Sequence, residues 1–187
     1  MNLPNSITVI RLLLIPVFIA LFYIEFSGHY FVAAALFAVA AFTDYLDGYF
    51  ARKLNLVTDL GKFLDASADK VLVLAALVIM IDAKVVPPVW GGALTAVILA
   101  REIMVSCLRM VAASKNVVLA ADIFGKIKTV LQDVGIIVAI VAAGLSIDVV
   151  TYIGYAILSA SVIMTIVSGV RYFIVNRKVL VKDENES

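Results

Sequence analysis

The chain has 187 residues, of which 64% are hydrophobic and 16% charged, against roughly 45–50% and about 25% in a soluble globular domain. A soluble domain this small has too much surface for its volume to hide that apolar content, so the composition points to lipid as the solvent. The net charge of +1 gives no field for a polyanion, which excludes nucleic acid as a partner, and the single cysteine, Cys107, excludes an intrachain disulfide.

In chain order, apolar stretches fall at about 7–25, 30–52, 60–82, 89–112, 122–145 and 149–173. Each is close to the ~20 residues that a membrane-crossing helix needs. They predict an all-α, polytopic membrane protein with six transmembrane helices in a single domain, residues 1–187. The first stretch contains Pro16, a candidate kink. No small-residue cleavage site follows Ile24, so this stretch reads as a retained helix rather than a signal peptide. Aromatic residues such as Phe22, Tyr23, Tyr30, Phe31 and Trp90 gather where membrane interfaces should fall. Six spans place both termini on one side. Twelve Lys and Arg residues, from Arg11 to Lys182, lie at or near that side, against Lys84 alone at the other. Both termini are therefore expected in the cytoplasm, with the protein in the cell (inner or plasma) membrane.

Most of the acids have plain readings. Glu25, Asp82 and Asp148 fall in outer loops, the last acids form a solvated tail, and Asp122 reads as a helix N-cap. Cys107 reads as a small packing residue, and His29 as a non-catalytic loop residue. Asp44, Asp47, Asp65 and Asp69 differ, because they sit inside spans where a charge is costly. At 3.6 residues per turn, Asp44, Asp47, Gly48 and Ala51 share an arc of about 100° on the second helix. Gly61, Asp65 and Asp69 share about 80° on the third. The short connection from Lys53 to Asp59 predicts that these helices pack as an antiparallel hairpin, in which Asp47 and Asp65 lie equally far from residue 56. Asp44 and Asp69 are nearly so, and the four carboxylates converge. Such a cluster must be neutralised by protons, by cations or by a metal. Three readings are open on spacing alone: Mg²⁺ or Mn²⁺ on an oxygen-only donor set, a proton or cation pathway, or an ion-pair network with Arg52, Lys62 and Lys70.

The stretch Asp-Tyr-Leu-Asp-Gly-Tyr-Phe-Ala-Arg, eight residues, then Gly-Lys-Phe-Leu-Asp-Ala-Ser-Ala-Asp resembles the signature of the CDP-alcohol phosphotransferases. That signature reads D-x-x-D-G-x-x-A-R-(x)8-G-x-x-x-D-x-x-x-D, and Asp44, Asp47, Gly48, Ala51, Arg52, Gly61, Asp65 and Asp69 match it at every specified position. The resemblance implies the fold of that family and metal-dependent transfer from a CDP-linked donor. It implies that Asp44, Asp47, Asp65 and Asp69 hold the metal, two ions of Mg²⁺ or Mn²⁺, with Asp69 also the general base. Gly48, Ala51 and Gly61 would let the cytidine nucleotide approach the backbone. Asp47 and Arg52 would contact the donor, as would Asn5, Thr8 and Arg11 in the opening Leu-Pro-Asn-Ser-Ile-Thr-Val-Ile-Arg. For Asn5 a helix N-cap is an equal reading.

The acceptor is sought in the fourth and fifth spans. Arg101, Glu102 and Arg109, with Gly-Lys-Ile-Lys-Thr at 125–129, resemble the phosphatidylglycerophosphate synthase branch of the family. That resemblance implies CDP-diacylglycerol as donor, sn-glycerol 3-phosphate as acceptor, and a homodimer among membrane lipids. Arg101, Arg109, Lys126 and Lys128 are the candidates for the acceptor's phosphate. The roles of Glu102 and Asp133 are open. The alternatives are a phosphatidylinositol-phosphate or cardiolipin synthase or, in another class, a cation- or proton-coupled transporter. A transporter has no need of Gly48, Ala51 and Gly61 on the acid-bearing faces.

Overall fold

The computed structural model describes residues 3–24, 26–53, 59–115, 117, 119 and 123–181, with the side chains of 3–5, 44–53, 59, 60, 62, 63, 65, 66 and 178–181 left aside. It has six helices: α1 (Leu3–Tyr23), α2 (His29–Lys53), α3 (Asp59–Asp82), α4 (Pro88–Ser114), α5 (Ile123–Leu145) and α6 (Asp148–Val181). No strand occurs among the described residues. The sixth helix runs past the apolar stretch that announces it. Its 34 residues make a rod of ~50 Å, longer than the ~30 Å hydrocarbon layer. Pro16 lies within α1, whose helical assignment continues through it.

The chain is a polytopic membrane protein. Ser6–Tyr23, Ile123–Leu145 and Asp148–Arg177 are each long and apolar enough to cross a bilayer, with mean hydropathies of 2.2, 1.8 and 1.9. In α2 the apolar part is the shorter His29–Thr43. Helices α3 and α4 carry Asp69, Lys70, Arg101 and Glu102 within them, the pattern of a helix that lines a polar site rather than lipid alone.

Helix α1 lies against α2 and α3, α5 against α2 and α6, and α4 against α3 and α6. Phe18, Phe37, Met80, Ile98, Ile136, Ile140 and Leu158 form the core. The outward side chains are also apolar, among them Leu13, Val39, Val78 and Ile163. Lipid removes most of the hydrophobic contrast between inside and outside, so close packing has to hold the helices together. The α5–α6 contact shows how. A Cβ at Gly154 would stand 3.1 Å from the Cα and N of Ala139, and one at Gly135 would stand 2.9 Å from the Leu158 side chain. Small residues thus let these two backbones approach.

One end of the bundle is tied shut. Helix α3 ends with Lys84 in the left-handed region at φ 57°. The Val85 N–H donates to the Met80 carbonyl and the Lys84 N–H to that of Ile81, a Schellman ending. Gly28 (φ 86°) and Ser146 (φ 54°) turn the chain at the same end. There the Tyr23 hydroxyl donates to Asp82 at 2.9 Å and the Tyr155 hydroxyl to the Val85 carbonyl at 2.8 Å. Phe18, Phe22, Tyr30 and Phe37 join α1 to α2, ring on ring.

The α5–α6 contact is open to test. Gly154→Ala should lower stability by about 1–3 kcal/mol, because rigid backbone must move to admit the methyl group. The measurement is the melting temperature in detergent. Gly92→Ala is the control, since a Cβ there meets nothing within 4 Å; an equal loss in both variants would remove the packing explanation.

Candidate active site

The polar residues of α3, α4 and α5 meet in the half of the bundle away from that closed end. Helical periodicity puts them there. On α4 the buried positions include Ile98 and Val105, and Glu102 falls between them at four and three residues' spacing, on the same face. On α5 the buried face runs Lys128, Gln132, Gly135, Ile136, Ala139, Ile140 and Ala142. It is polar in its first turns and apolar beyond.

Glu102 is the anion of this cluster. It accepts the Lys128 ammonium from α5 and, at 3.1 Å, the Arg101 guanidinium from its own helix. The Lys128 and Glu102 side chains are only 9% and 15% exposed. Breaking such a pair by removing one partner is expected to cost about 3–5 kcal/mol, since the other charge stays buried. Lys70 of α3 donates to Ser106 of α4 at 2.8 Å. Arg101 also reaches α6, donating to Ser168 at 3.1 Å. Room for it comes from glycine: a Cβ at Gly169 would lie 3.1 Å from the Arg101 Cγ. Arg101 thus bolts α4 to α6 beside the start of α5.

Asp69, the expected base, stands on the wall of this cluster. Together with Lys70, Glu102, Lys128, Thr129 and Gln132 it lines a cavity of about 20 Å³, room for roughly one water molecule. Thr8 and Arg11 are 2% and 1% exposed on α1, so both polar side chains are buried in the bundle. Gly61 is half-buried on α3. The side chains of Asn5, Asp44, Asp47, Gly48, Ala51, Arg52 and Asp65 lie outside those described, as does Asp122. Among the described residues no group of three metal-ligating side chains occurs, Asp69 being the one expected ligand they include. Its partners by position are on continuous helix: Asp65 one turn earlier on α3, and Asp44 and Asp47 three residues apart on α2. Carboxylate oxygens alone in that donor set suit a hard divalent cation.

The candidate phosphate cations divide between places. Lys128 and Arg101 share Glu102. Arg109 donates to the Tyr172 hydroxyl at 3.0 Å, with its guanidinium 5.5 Å from the ring centroid. Lys126 is exposed, since two residues along a helix turn it about 200° from Lys128. Glu102 and Gln132 are the residues that sequence reasoning did not place. Each continues the buried periodicity of its helix, Glu102 from Ile98 and Gln132 from Lys128, and that periodicity was the available signal. Asp133 is half-buried next to Gln132. Cys107 is exposed rather than packed.

Comparison with known proteins bears on this arrangement. The family model for CDP-alcohol phosphatidyltransferase matches residues 1–176. A Bacillus subtilis protein named CDP-diacylglycerol--glycerol-3-phosphate 3-phosphatidyltransferase is 40% identical over 96% of this chain and 97% of its own length. A protein of the same name from Rickettsia typhi is 39% identical over 92% of this chain and 95% of its own. One from Pseudomonas fluorescens is 50% identical over 58% of this chain and 55% of its own. With the signature spacing, the buried polar cluster and a family match over nearly the whole length, the chain belongs to the CDP-alcohol phosphatidyltransferase family.

Proposed function

We infer that this protein is a membrane enzyme that transfers the phosphatidyl group of CDP-diacylglycerol to sn-glycerol 3-phosphate, releasing CMP. The observation that carries this is the placing of Asp69, last residue of the family signature, on one cavity with Glu102, Lys128 and Gln132. The relatives' shared name supports the two substrates. The site lies within the bundle, so a donor whose acyl chains stay in lipid can bring its diphosphate in between helices.

In the reaction, a primary hydroxyl oxygen of the acceptor attacks the lipid-bearing phosphorus. Asp69 takes the hydroxyl's proton, the bond from that phosphorus to the bridging oxygen breaks, and CMP leaves with the bridging electrons. Asp44, Asp47, Asp65 and Asp69 would hold one or two Mg²⁺ or Mn²⁺ ions, whose chemistry when bound is to neutralise charge on the diphosphate and on leaving CMP. Thr8, Arg11, Arg52 and Asn5 would contact the donor phosphates, and Asp47 would also face the donor. Gly48, Ala51 and Gly61 would leave room for the nucleotide. For the acceptor's phosphate, Lys126 is exposed to approach and Arg109 is already oriented by Tyr172. Arg101 and Lys128 would share it while held by Glu102. Positioning and electrostatics then supply most of the acceleration. We further propose a homodimer in the cell membrane, with both termini and the site cytoplasmic; the crowding of basic residues toward one side supports that orientation.

The direct test is a micelle assay with labelled CDP-diacylglycerol and a panel of alcohols, in which glycerol 3-phosphate should be the best acceptor. A chelator should abolish CMP release, with Mg²⁺ or Mn²⁺ restoring it and Zn²⁺ doing so poorly. Full turnover in excess chelator would remove the metal from the proposal. Asp69→Asn should lower kcat by roughly 10²–10⁴ through lost base catalysis. Near-normal rates in that variant would reassign the base. A reporter fused after Ser187 should be cytoplasmic, and a cysteine placed at His29 should react with an impermeant reagent from outside. The reverse pattern would invert the topology.

A further inference from the structure

One polar atom of the cavity has no use in the chemistry above. Gln132 is 3% exposed, lines the cavity, and its Oε1 has no hydrogen-bond partner among the described residues. Buried acceptors without a donor are uncommon, because the lost bond to water is not replaced. The two ammonium groups on the same cavity are turned to Ser106 (Lys70) and to Glu102 (Lys128), and neither reaches this oxygen, which is left able to accept from a group that enters the cavity. At about 20 Å³ the space beside it has room for a hydroxyl-sized group. Asp69 stands on the same cavity. The two oxygens of a vicinal diol lie within hydrogen-bonding reach of one another, so one can meet Asp69 while the other meets Gln132.

We propose that Gln132 is a specificity-determining residue whose Oε1 accepts a hydrogen bond from the non-reacting hydroxyl of a vicinal-diol acceptor, beside the hydroxyl whose proton Asp69 takes. This rests on the transfer to glycerol 3-phosphate inferred above. It separates two recognition tasks: the cations read the acceptor's phosphate, and Gln132 reads the hydroxyl next to the reacting one.

The experiment compares two acceptors on the full-length enzyme in detergent with CDP-diacylglycerol. These are sn-glycerol 3-phosphate and 3-hydroxypropyl phosphate, which lacks only the middle hydroxyl. Native enzyme should show a kcat/KM roughly ten- to a hundred-fold lower for the deoxy acceptor, the cost of leaving a buried acceptor unpaired. Gln132→Met, similar in length but without the acceptor oxygen, should lose kcat/KM mainly on glycerol 3-phosphate, so that the ratio falls toward one. Gln132→Glu keeps an acceptor oxygen and should keep the preference. The ratio is read within one preparation, so the folded fraction cancels. If Gln132→Met yields no folded protein, Gln132→Ala replaces it under the same reading. Equal use of both acceptors by native enzyme would overturn the proposal. An unchanged ratio in Gln132→Met would also overturn it, leaving Gln132 as a packing residue or the seat of a resident water. No turnover of glycerol 3-phosphate by native enzyme would instead overturn the transfer reading, and this proposal with it.

Discussion

Glu102 holds two cations, Lys128 of α5 and Arg101 of α4, inside a bundle whose outer surface is itself apolar. Charge in such a medium survives only when it is paired, and a pairing across helices fixes how those helices stand. Through Arg101 the same network reaches Ser168 on α6, and through Ser106 helix α4 also takes Lys70 from α3. The three helices that line the cavity, α3, α4 and α5, and α6 beside them are therefore joined through a polar network that includes residues of its wall. This coupling makes the site a structural element as well as a chemical one.

The apolar part of the fold serves that network. Where lipid offers no hydrophobic drive, close backbone approach at Gly135 and Gly154 brings α5 onto α6. The far end is closed by the left-handed ending at Lys84 and the hydroxyls of Tyr23 and Tyr155. Among the described residues the positive-φ positions Gly28, Lys84 and Ser146 lie there, and α3, α4 and α5 run unbroken where their side chains must be held in register. A transfer reaction that works by positioning needs this kind of rigid frame, since small displacements of the reacting atoms are costly.

Family membership and the cavity together sharpen what the acceptor site must do. The space of about 20 Å³ lined by Asp69, Glu102, Lys128 and Gln132 has room for roughly one hydroxyl-sized group. Lys128 and Arg101 share Glu102, which offsets part of their charge, while Lys126 is exposed and Arg109 rests on Tyr172. Four cations that look equivalent along the chain thus differ in what they can offer a ligand.

The sequence by itself determined the six helices, their approximate ends and the membrane setting, because lipid solvation imposes a length and an apolar composition that can be read locally. It also determined the family, since the signature from Asp44 to Asp69 sets residue types at fixed intervals and needs no partner to be recognised. It did not determine which cation serves which group. Lys126 and Lys128 read as twins in Gly-Lys-Ile-Lys-Thr, yet one is exposed and the other buried against Glu102. Nor did it give a role to Gln132, one polar residue among several on the fifth span until α3 and α4 close a cavity over it. The continuation of α6 beyond its apolar stretch, to Val181, was equally invisible to hydropathy, because helix ends follow backbone bonding and apolar stretches follow the bilayer. Partners brought together from three separate helices decide these points, and helix-to-helix pairing is carried by tertiary packing rather than by any local run of residues.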